Sequence, residues 1–365
     1  MTEPLEPEPI DPFVEREKTA PAADAEAVLS VRDLRVTFAS DDGPVKAVSG
    51  LSFDVHENEV LGIVGESGSG KSVTNLAVLG LLPKSAQVTG EAFYRGRQLI
   101  GLPEAEMRKL RGESIAMVFQ DALAALNPVY TVGNQIAEAI KTHHPERHDR
   151  EIRAQTIELL DLVGIPNPKE RVDEYPHQYS GGMRQRAMIA MAISNDPDVL
   201  VADEPTTALD VTIQAQVLEV LERIQARTRS AIILITHDLG VVAGLSDRVM
   251  VMYAGRAVEV GEVDQLFYDG RHPYTLGLLA SLPRLDEEEQ RLQLFHIEGS
   301  PPSLLRVPPG CPFHPRCRFA RLPSPCSTEL PLLRACGELS HTAACHFAEE
   351  MASVQPEQLR VDVSR

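Results

Sequence analysis

The sequence contains Val60-Leu-Gly-Ile-Val64, followed directly by Gly65-Glu-Ser-Gly-Ser-Gly-Lys71-Ser72. The first five residues have the apolar pattern of a short buried strand, and the next eight match the pattern G-x-x-x-x-G-K-[ST]. Residues 73–82 favour a helix. A strand, a glycine-rich loop and a helix in this order are typical of a phosphate-binding loop, because the glycines let several backbone N–H groups turn towards one anion.

The loop predicts roles for its own residues. The Lys71 ammonium is expected to reach the β- and γ-phosphates of ATP, and the Ser72 hydroxyl to occupy one coordination position of Mg²⁺. The alternative is a glycine-rich turn without a ligand, but eight matching positions between a strand and a helix favour the phosphate loop. The residues expected to contact the nucleotide are Gly65, Ser67, Gly68, Ser69, Gly70, Lys71 and Ser72.

A second apolar strand ends in two carboxylates, in the segment Val199-Leu-Val-Ala-Asp203-Glu204. An acidic pair after a strand usually begins a solvated loop, but beside a phosphate loop it indicates the metal and base end of a phosphoryl-transfer site. Asp203 is expected to hold Mg²⁺, directly or through water. Glu204 is expected to orient the attacking water or accept its proton, as a general base does.

The pattern along the chain predicts an α/β fold with several parts. Residues 28–38 and 45–55 alternate apolar and polar side chains and predict paired antiparallel strands. Residues 120–193 have helical periodicity. The apolar strands at 199–202 and 231–235, separated by an amphipathic helix, predict a parallel sheet that helices cover on both faces.

Composition predicts where the folded core begins and ends. Residues 1–27 are rich in Pro, Glu, Asp and Ala and predict a disordered acidic leader. We expect a nucleotide-binding domain over residues 28–264, a Pro- and Cys-rich C-terminal region over 265–350, and a flexible tail over 351–365. No internal duplication is evident, so the sequence predicts one nucleotide-binding unit.

The overall composition excludes several classes of function. The formal net charge of −18 argues against a nucleic-acid partner, since phosphates are neutralised by clustered Lys and Arg. We expect no helix that crosses a bilayer, because no uninterrupted apolar run of about 18 residues is present. The N-terminus also lacks the basic start and apolar stretch of a signal peptide. The sequence therefore predicts a protein that remains in the cytoplasm.

Between the two halves of the expected site lies Tyr179-Ser180-Gly181-Gly182-Met183, which resembles the Leu-Ser-Gly-Gly-Gln signature of the ABC ATPases. Tyr179 replaces the leucine and Met183 replaces the glutamine, while the Ser-Gly-Gly core is intact. The resemblance implies the ABC ATPase fold. That fold has a RecA-like parallel-sheet core, an antiparallel β subdomain and a helical signature subdomain, here followed by a small Cys-rich C-terminal extension.

Other residues receive their roles from the same resemblance. Gln120 resembles the Q-loop glutamine, which senses Mg²⁺ or water and connects to the transmembrane partner. Asp210 resembles the D-loop residue at the dimer contact, and His237 resembles the switch histidine that contacts the γ-phosphate. Phe38 resembles the aromatic residue that stacks on adenine, although it could equally be a core residue of its strand.

The resemblance extends to the ATP-binding subunits of oligopeptide and dipeptide importers. It is carried by residues 179–191, by His272-Pro-Tyr-Thr-Leu-Gly-Leu-Leu279 and by Gly310-Cys-Pro-Phe-His-Pro-Arg-Cys317, and it covers residues 28 to about 347. It implies an ATPase at the cytoplasmic face of the cell membrane.

In the implied mechanism the chain is one half of a dimer. The phosphate loop of one subunit and the Ser180-Gly181-Gly182 core of the other close on the same ATP, and hydrolysis lets them separate. The implied partners are a second ABC ATPase subunit, expected to be a related but different chain, two transmembrane permease subunits and an extracytoplasmic peptide-binding protein.

All five cysteines lie in the C-terminal region, where a reducing cytosol disfavours disulfides. In some of the related proteins four tail cysteines hold a [4Fe–4S] cluster, and Cys336 is an unexplained extra. A zinc site that includes nearby histidines, and buried free thiols, remain open as alternatives. The positions that match the cluster ligands are Cys311, Cys317, Cys326 and Cys345.

Other functions also remain open at this point. An ABC importer ATPase could serve another small solute, such as nickel or a sugar. A soluble ABC ATPase that acts on ribosomes or DNA would more often have two tandem units or basic surfaces. A regulatory, non-catalytic subunit is disfavoured by the intact Lys71, Asp203, Glu204 and His237, and an exporter by the importer-like C-terminal region.

Overall fold

The computed structural model of the chain describes residues 26–207, 209–282 and 295–360, and within these ranges the strands form two sheets. The strands are β1 (Ala27–Phe38), β2 (Val45–His56), β3 (Val60–Val64), β4 (Ala86–Tyr94), β5 (Arg97–Gln98), β6 (Ile115–Val118), β7 (Val199–Asp203), β8 (Ala231–Thr236), β9 (Arg248–Tyr253), β10 (Arg256–Glu262), β11 (Arg334–Cys336) and β12 (Glu338–Ala343). The α-helices are α1 (Lys71–Val78), α2 (Glu104–Leu110), α3 (Ala122–Ala125), α4 (Val132–His143), α5 (Asp149–Leu162), α6 (Pro168–Arg171), α7 (Gly181–Ala192), α8 (Val211–Thr228), α9 (Leu239–Leu245), α10 (Val263–Tyr268), α11 (Pro273–Ala280), α12 (Ala348–Met351) and α13 (Pro356–Arg360).

The larger sheet has the strand order β11-β12-β10-β9-β3-β8-β7-β6, and its middle is parallel. Every residue of β3, β7 and β8 is buried. Along β8, Ile232 and Leu234 pack into one apolar cluster, whereas Ile233 and Ile235 pack into another. A strand that is apolar on both sides needs cover on both faces of its sheet. The predicted parallel-sheet core is therefore confirmed.

The smaller sheet has the order β2-β1-β4-β5 and is antiparallel throughout. The predicted pairing of residues 28–38 with 45–55 is confirmed, with Val36 opposite Val48. The sequence did not predict β4. Burial alternates along this strand, but only Ala92 and Tyr94 at its end are fully buried, so few strongly apolar side chains mark it in the sequence.

The helices α3 to α7 lie between β6 and β7 in the chain, in the segment for which the sequence predicts helical periodicity. Helices α3, α4, α5 and α7 share one apolar cluster with one face of the parallel sheet, in which Ile136 of α4, Leu160 of α5 and Ile189 of α7 are completely buried. The same cluster includes Leu221 of α8. The helices that carry residues 179–192 are thus fixed on the same core as the strands that end at the expected site.

The C-terminal region, predicted as a small Cys-rich extension over residues 265–350, is joined to the larger sheet. β12 pairs antiparallel with β10, and β11 pairs with β12, so the region continues the larger sheet. Within the segment predicted as a flexible tail, Met351 and Leu359 are buried in a cluster with Phe295. These strands and helices are too short to give a periodic pattern. The remainder of the predicted tail, 361–365, and residues 1–25 of the predicted leader lie outside the described residues.

A buried carboxylate holds the C-terminal region on the sheet. Glu259 in β10 is completely buried, and its carboxylate accepts hydrogen bonds from the backbone N–H groups of Arg271 (2.6 Å) and His272 (2.9 Å). The ring Nε2 of His341 in β12 lies 2.8 Å from the same carboxylate. One side chain therefore joins three segments that are far apart in sequence.

Replacing Glu259 by Ala is expected to destabilise the protein by about 3 kcal/mol, because two buried N–H groups and the His341 ring lose their partner. Glu259→Gln keeps an acceptor of the same shape and is expected to cost less. The measurement is the urea concentration at the midpoint of unfolding, with unfolding monitored by far-ultraviolet circular dichroism. Glu329→Ala, which truncates an exposed carboxylate in the same region, is the control. Equal midpoints for the Glu259→Ala and Glu329→Ala proteins would contradict this role.

Candidate functional site

The predicted phosphate loop lies between β3 and α1, and its backbone runs where only glycine fits. Gly70 precedes the first residue of α1 with a φ of 102°, a left-handed conformation that disfavours other residues. A Cβ at Gly70 would collide with the carbonyl oxygen of Ala47, and one at Gly65 with that of Met252. The glycines of the pattern therefore serve close backbone packing as well as anion binding.

Lys71 is the first residue of α1 and is buried. Its Nζ donates hydrogen bonds to the carbonyl oxygens of Gly65 (2.6 Å) and Glu66 (3.1 Å). Burial lowers the pKa of the Lys71 ammonium, and the carboxylates of Glu204, Asp203 and Glu66 act in the opposite direction. The ammonium is thus held inside the loop, where the negative charge of bound phosphates would act on its pKa in the same direction as the three carboxylates.

Ser72 and Asp203, the residues predicted to hold Mg²⁺, contact each other directly. The Ser72 hydroxyl donates a hydrogen bond of 2.9 Å to Oδ1 of Asp203, although the two residues belong to α1 and to the end of β7. Burial raises the pKa of Asp203, and the Glu204 carboxylate adds to this effect, whereas the hydrogen bond from Ser72 opposes it. A hydroxyl and a carboxylate oxygen side by side match the ligands that Mg²⁺ prefers.

Glu204 has a φ of 46°, which is unusual for a residue with a side chain. This conformation follows the end of β7, and a hydrogen bond from its N–H to the carbonyl of Ile235 (2.9 Å) fixes it. Its Oε2 accepts hydrogen bonds from Nε2 of Gln120 (2.9 Å) and Oγ1 of Thr207 (2.7 Å). Nδ1 of His237 lies 3.7 Å from the same oxygen.

The predicted residues meet because three neighbouring strands end at the same edge of the sheet. Gln120 follows β6, Glu204 follows β7 and His237 follows β8. Together with the phosphate loop they line one open cavity of about 620 Å³. Its lining consists of Glu66, Ser67, Gly68, Ser69, Gly70, Lys71, Ser72, Val73, Gln120, Glu204 and His237.

The signature residues lie elsewhere on the chain. The Ser180 hydroxyl accepts a hydrogen bond of 3.3 Å from the N–H of Met183 and caps the start of α7. Ser180 and Gly181 are exposed, Gly182 is buried, and none of the three lines the cavity around the phosphate loop. Within one chain these residues therefore present an exposed helix start that is separate from its own phosphate loop.

Two further predicted residues also lie outside the cavity. Asp210 is exposed and caps α8, accepting a hydrogen bond of 3.0 Å from the N–H of Ile213. Phe38 ends β1, is half-buried and packs against the apolar cluster between the two sheets. The role of Phe38 in stacking on adenine stays a prediction.

The departure of the signature from its general form has a structural explanation. Tyr179, in the place of leucine, is buried and donates a hydrogen bond of 2.9 Å from its hydroxyl to the carbonyl of Arg171. Burial raises its pKa to about 12. The residue therefore keeps the apolar packing of leucine and adds a buried hydrogen bond.

Sequence reasoning missed the contacts that the C-terminal region makes with the phosphate loop. The Glu66 carboxylate pairs with the guanidinium of Arg316, and the Glu66 N–H donates to the hydroxyl of Tyr274 at 2.9 Å. Thr207, which holds Glu204, was also missed. Tyr274 and Arg316 belong to the segments 272–279 and 310–317, which carry the resemblance to peptide importers. No local pattern in either segment indicates that its partner is Glu66.

Four of the five cysteines come together, although they are spread over more than thirty positions. Burial raises the pKa of Cys317 to about 12 and that of Cys345 to about 11. Neighbouring thiols add to the effect in both cases. The cavity that they share is lined by Cys311, Cys317, Cys326, Cys345, His272, His314 and His346, among other residues.

The fifth cysteine, Cys336, lies apart from the other four. Cys336 is buried in β11, away from the shared cavity, with its Sγ 3.6 Å from the carbonyl of His341. All five thiols are free. Across residues 26–207, 209–282 and 295–360, no group of three or more His, Cys, Asp or Glu side chains is arranged to hold a metal ion. The expectation of an iron–sulfur cluster therefore receives no support from ligand geometry.

No helix within the described part of the chain is both long and apolar enough to cross a membrane.

Comparisons with known families match two parts of the chain. Residues 48–207 match the family described as "ABC transporter", and residues 258–323 match "Oligopeptide/dipeptide transporter, C-terminal region". Among solved structures, cbiO1 from Clostridium perfringens, part of the ABC transporter complex cbiONQ, has a TM-score of 0.57 and 29% identity. The match covers 66% of this chain and 90% of that one. The dimeric cassette MJ0796 has a TM-score of 0.58 at 24% identity and so agrees in fold.

Curated relatives are similar over most of the chain. The dipeptide transport ATP-binding protein DppD of Bacillus subtilis (strain 168) is 53% identical over 80% of this chain and 87% of its own length. The oligopeptide transport ATP-binding protein OppD of Escherichia coli (strain K12) is 49% identical over 86% and 93%, respectively. OppD of Mycobacterium tuberculosis is 52% identical over 87% of this chain, which spans only 51% of the length of that relative. The chain therefore belongs to the family of oligopeptide and dipeptide transport ATP-binding proteins of ABC transporters.

Proposed function

We propose that the chain binds and hydrolyses ATP to energise an ABC importer for oligopeptides or dipeptides. The observation that carries the proposal is the joint lining of one cavity by the phosphate loop, Gln120, Glu204 and His237. The peptide substrate is inferred from the relatives, which are named as oligopeptide or dipeptide transport ATP-binding proteins.

Different residues at the site bind the phosphates and the metal ion. The N–H groups of the phosphate loop and the Lys71 ammonium bind the β- and γ-phosphates. Ser72 and Asp203 are the residues that would hold Mg²⁺, which neutralises charge on the phosphate oxygens when it is bound. Phosphoryl transfer depends mainly on positioning and charge stabilisation, so the rigid placement of these groups is the main contribution of the fold.

Glu204 is proposed to orient the attacking water and accept its proton. Gln120 and Thr207 both donate hydrogen bonds to Oε2 of Glu204. Neither of these two bonds uses the other carboxylate oxygen, Oε1. His237, whose ring is 3.7 Å from the same Oε2 atom, is proposed to contact the γ-phosphate. A carboxylate that is fixed by two donors at one oxygen can present the other to water in a defined direction.

The remaining residues are proposed to act between subunits. Ser180, Gly181 and Gly182 present an exposed helix start that fits the γ-phosphate of ATP held by a second ATPase subunit. Asp210 would lie at the same contact. Two transmembrane permease subunits and an extracytoplasmic peptide-binding protein would complete the importer, with the chain at the cytoplasmic face of the membrane.

For the C-terminal cysteines we propose a [4Fe–4S] cluster held by Cys311, Cys317, Cys326 and Cys345. The chemistry of the donor set supports it, since four thiols line one cavity whereas Cys336 does not. Burial raises the pKa of Cys317 and Cys345, so these thiols would become ligands only together with compensating positive charge. A cluster would supply that charge and cross-link the region.

Glu204→Gln is expected to lower ATP turnover by about 100-fold or more while nucleotide binding is retained, because the amide cannot accept the proton from water. Phosphate release at saturating ATP and calorimetric binding of the nucleotide are the two measurements. Glu222→Gln, at an exposed position of α8, is the control. Normal turnover in a folded Glu204→Gln protein would remove Glu204 from this role.

The cluster proposal predicts about four iron and four sulfide ions per chain after purification without oxygen. Cys317→Ser is expected to lose most of the iron and the brown absorption, whereas Cys336→Ser is the matched control and is expected to keep both. Iron, acid-labile sulfide and zinc are assayed together. Zinc in place of iron, or no metal in the unaltered protein, would refute the cluster and leave the ATP site unaffected.

A further inference from the structure

Glu66, the second residue of the phosphate loop, is held through all of its polar groups. Its N–H donates to the Tyr274 hydroxyl at 2.9 Å, and its carbonyl accepts from Nζ of Lys71 at 3.1 Å. Its carboxylate oxygens accept from Nη1 and Nη2 of Arg316 at 2.7 and 2.9 Å. Two of these three partners come from the C-terminal region.

Arg316 is built into this position by its complete set of donors. Besides the two bonds to Glu66, its Nε donates to the carbonyl of Glu298 (3.0 Å). Nη2 also donates to the carbonyl of Ile297 (3.3 Å), and Nη1 to the hydroxyl of Tyr253 (3.3 Å). The five donors of a guanidinium are thus matched by five acceptors, and the side chain is only 6% exposed. A side chain held in this way has one orientation.

The support of Tyr274 is similarly rigid. Its ring is completely buried, with its centroid 4.7 Å from that of Tyr253 and 5.4 Å from that of Phe313. The same Tyr253 ring lies 5.8 Å from the guanidinium carbon of Arg316. The two groups that hold Glu66 therefore share one aromatic cluster, and the position of the loop follows from the packing of that cluster.

The carboxylate of Glu66 creates an electrostatic problem for nucleotide binding. Glu66 lines the cavity of the phosphate loop, and a negative side chain there repels a triphosphate. A bidentate pair with a buried guanidinium neutralises the carboxylate and directs it away from the anion. The stability of the fold does not require the Glu66–Arg316 ion pair, since apolar residues of similar size would avoid the desolvation cost of a buried ion pair.

We propose that Arg316 is a positioning residue for ATP: by pairing with Glu66 it fixes the start of the phosphate loop and withdraws a carboxylate from the triphosphate. This inference rests on the proposed function, because it requires that the loop binds ATP. Through Arg316 the C-terminal region contributes directly to the affinity for ATP. The phosphate loop and the strand ends alone would then bind ATP more weakly.

The test is the affinity of the full-length protein for the magnesium complex of the β,γ-imido analogue of ATP, measured by isothermal titration calorimetry. Arg316→Gln is expected to raise Kd about tenfold, because the unpaired Glu66 carboxylate then faces the triphosphate. Arg316→Lys keeps the charge without the bidentate geometry, so an intermediate Kd is expected. In turnover assays the KM for ATP is expected to rise with Kd, while kcat changes less than about twofold.

Two further variants separate positioning from stability. Arg318→Gln removes a neighbouring arginine that pairs with the exposed Glu298 and is expected to bind the analogue as the unaltered protein does. The double variant Glu66→Gln/Arg316→Gln also removes the repelling carboxylate, so its Kd is expected to return to within about threefold of the unaltered value. If Arg316 served only stability, the second substitution would restore nothing. Should Arg316→Gln not fold, Arg316→Lys carries the same comparison.

An unchanged Kd in the Arg316→Gln protein, or a double variant that binds as weakly as the single one, overturns the inference. Lys71→Ala reports separately on the nucleotide site. If the unaltered protein does not bind the analogue, or if Lys71→Ala binds it equally well, both the proposed function and the inference fail. If Lys71→Ala loses binding while Arg316→Gln keeps it, only the positioning role of Arg316 fails.

Discussion

The phosphate loop is held between the two sheets by contacts of backbone with backbone. Gly65 approaches the carbonyl of Met252 in β9, and Gly70 approaches that of Ala47 in β2, so closely that neither position has space for a Cβ. The N–H of Gly255 donates to the carbonyl of Ser69 at 2.9 Å and closes the same contact. The spacing of the two sheets at this point and the conformation of the loop therefore depend on each other.

The parallel strands bring the other side chains to this loop. Gln120, Glu204 and His237 follow β6, β7 and β8, which are neighbours in the larger sheet. Because the carboxyl ends of parallel strands lie at one edge, each side chain needs only its own strand to reach the site. The positive φ of Glu204 is the local cost of turning its carboxylate towards Gln120.

The C-terminal region contributes to both the core and the site. β12 extends the larger sheet, and the buried Glu259 joins it to the segment that contains His272. From the same region Tyr274 and Arg316 reach Glu66 in the phosphate loop. Loss of order in this region would therefore affect β10 and the phosphate loop together.

Elements with a local pattern could be predicted from the amino-acid sequence. A recognisable run of residue types marks the strand at residues 60–64, the phosphate loop, the acidic strand end and the strands β1 and β2. The resemblance to ABC ATPases then assigned a role to each motif. The placement of β4, β11 and β12 and the contact of Glu66 with Arg316 became evident only in the folded chain, whereas the resemblance had already grouped the four cysteines. These contacts join segments far apart in the chain, and a single buried side chain or a three-residue strand leaves no periodic signal from which its partner can be deduced.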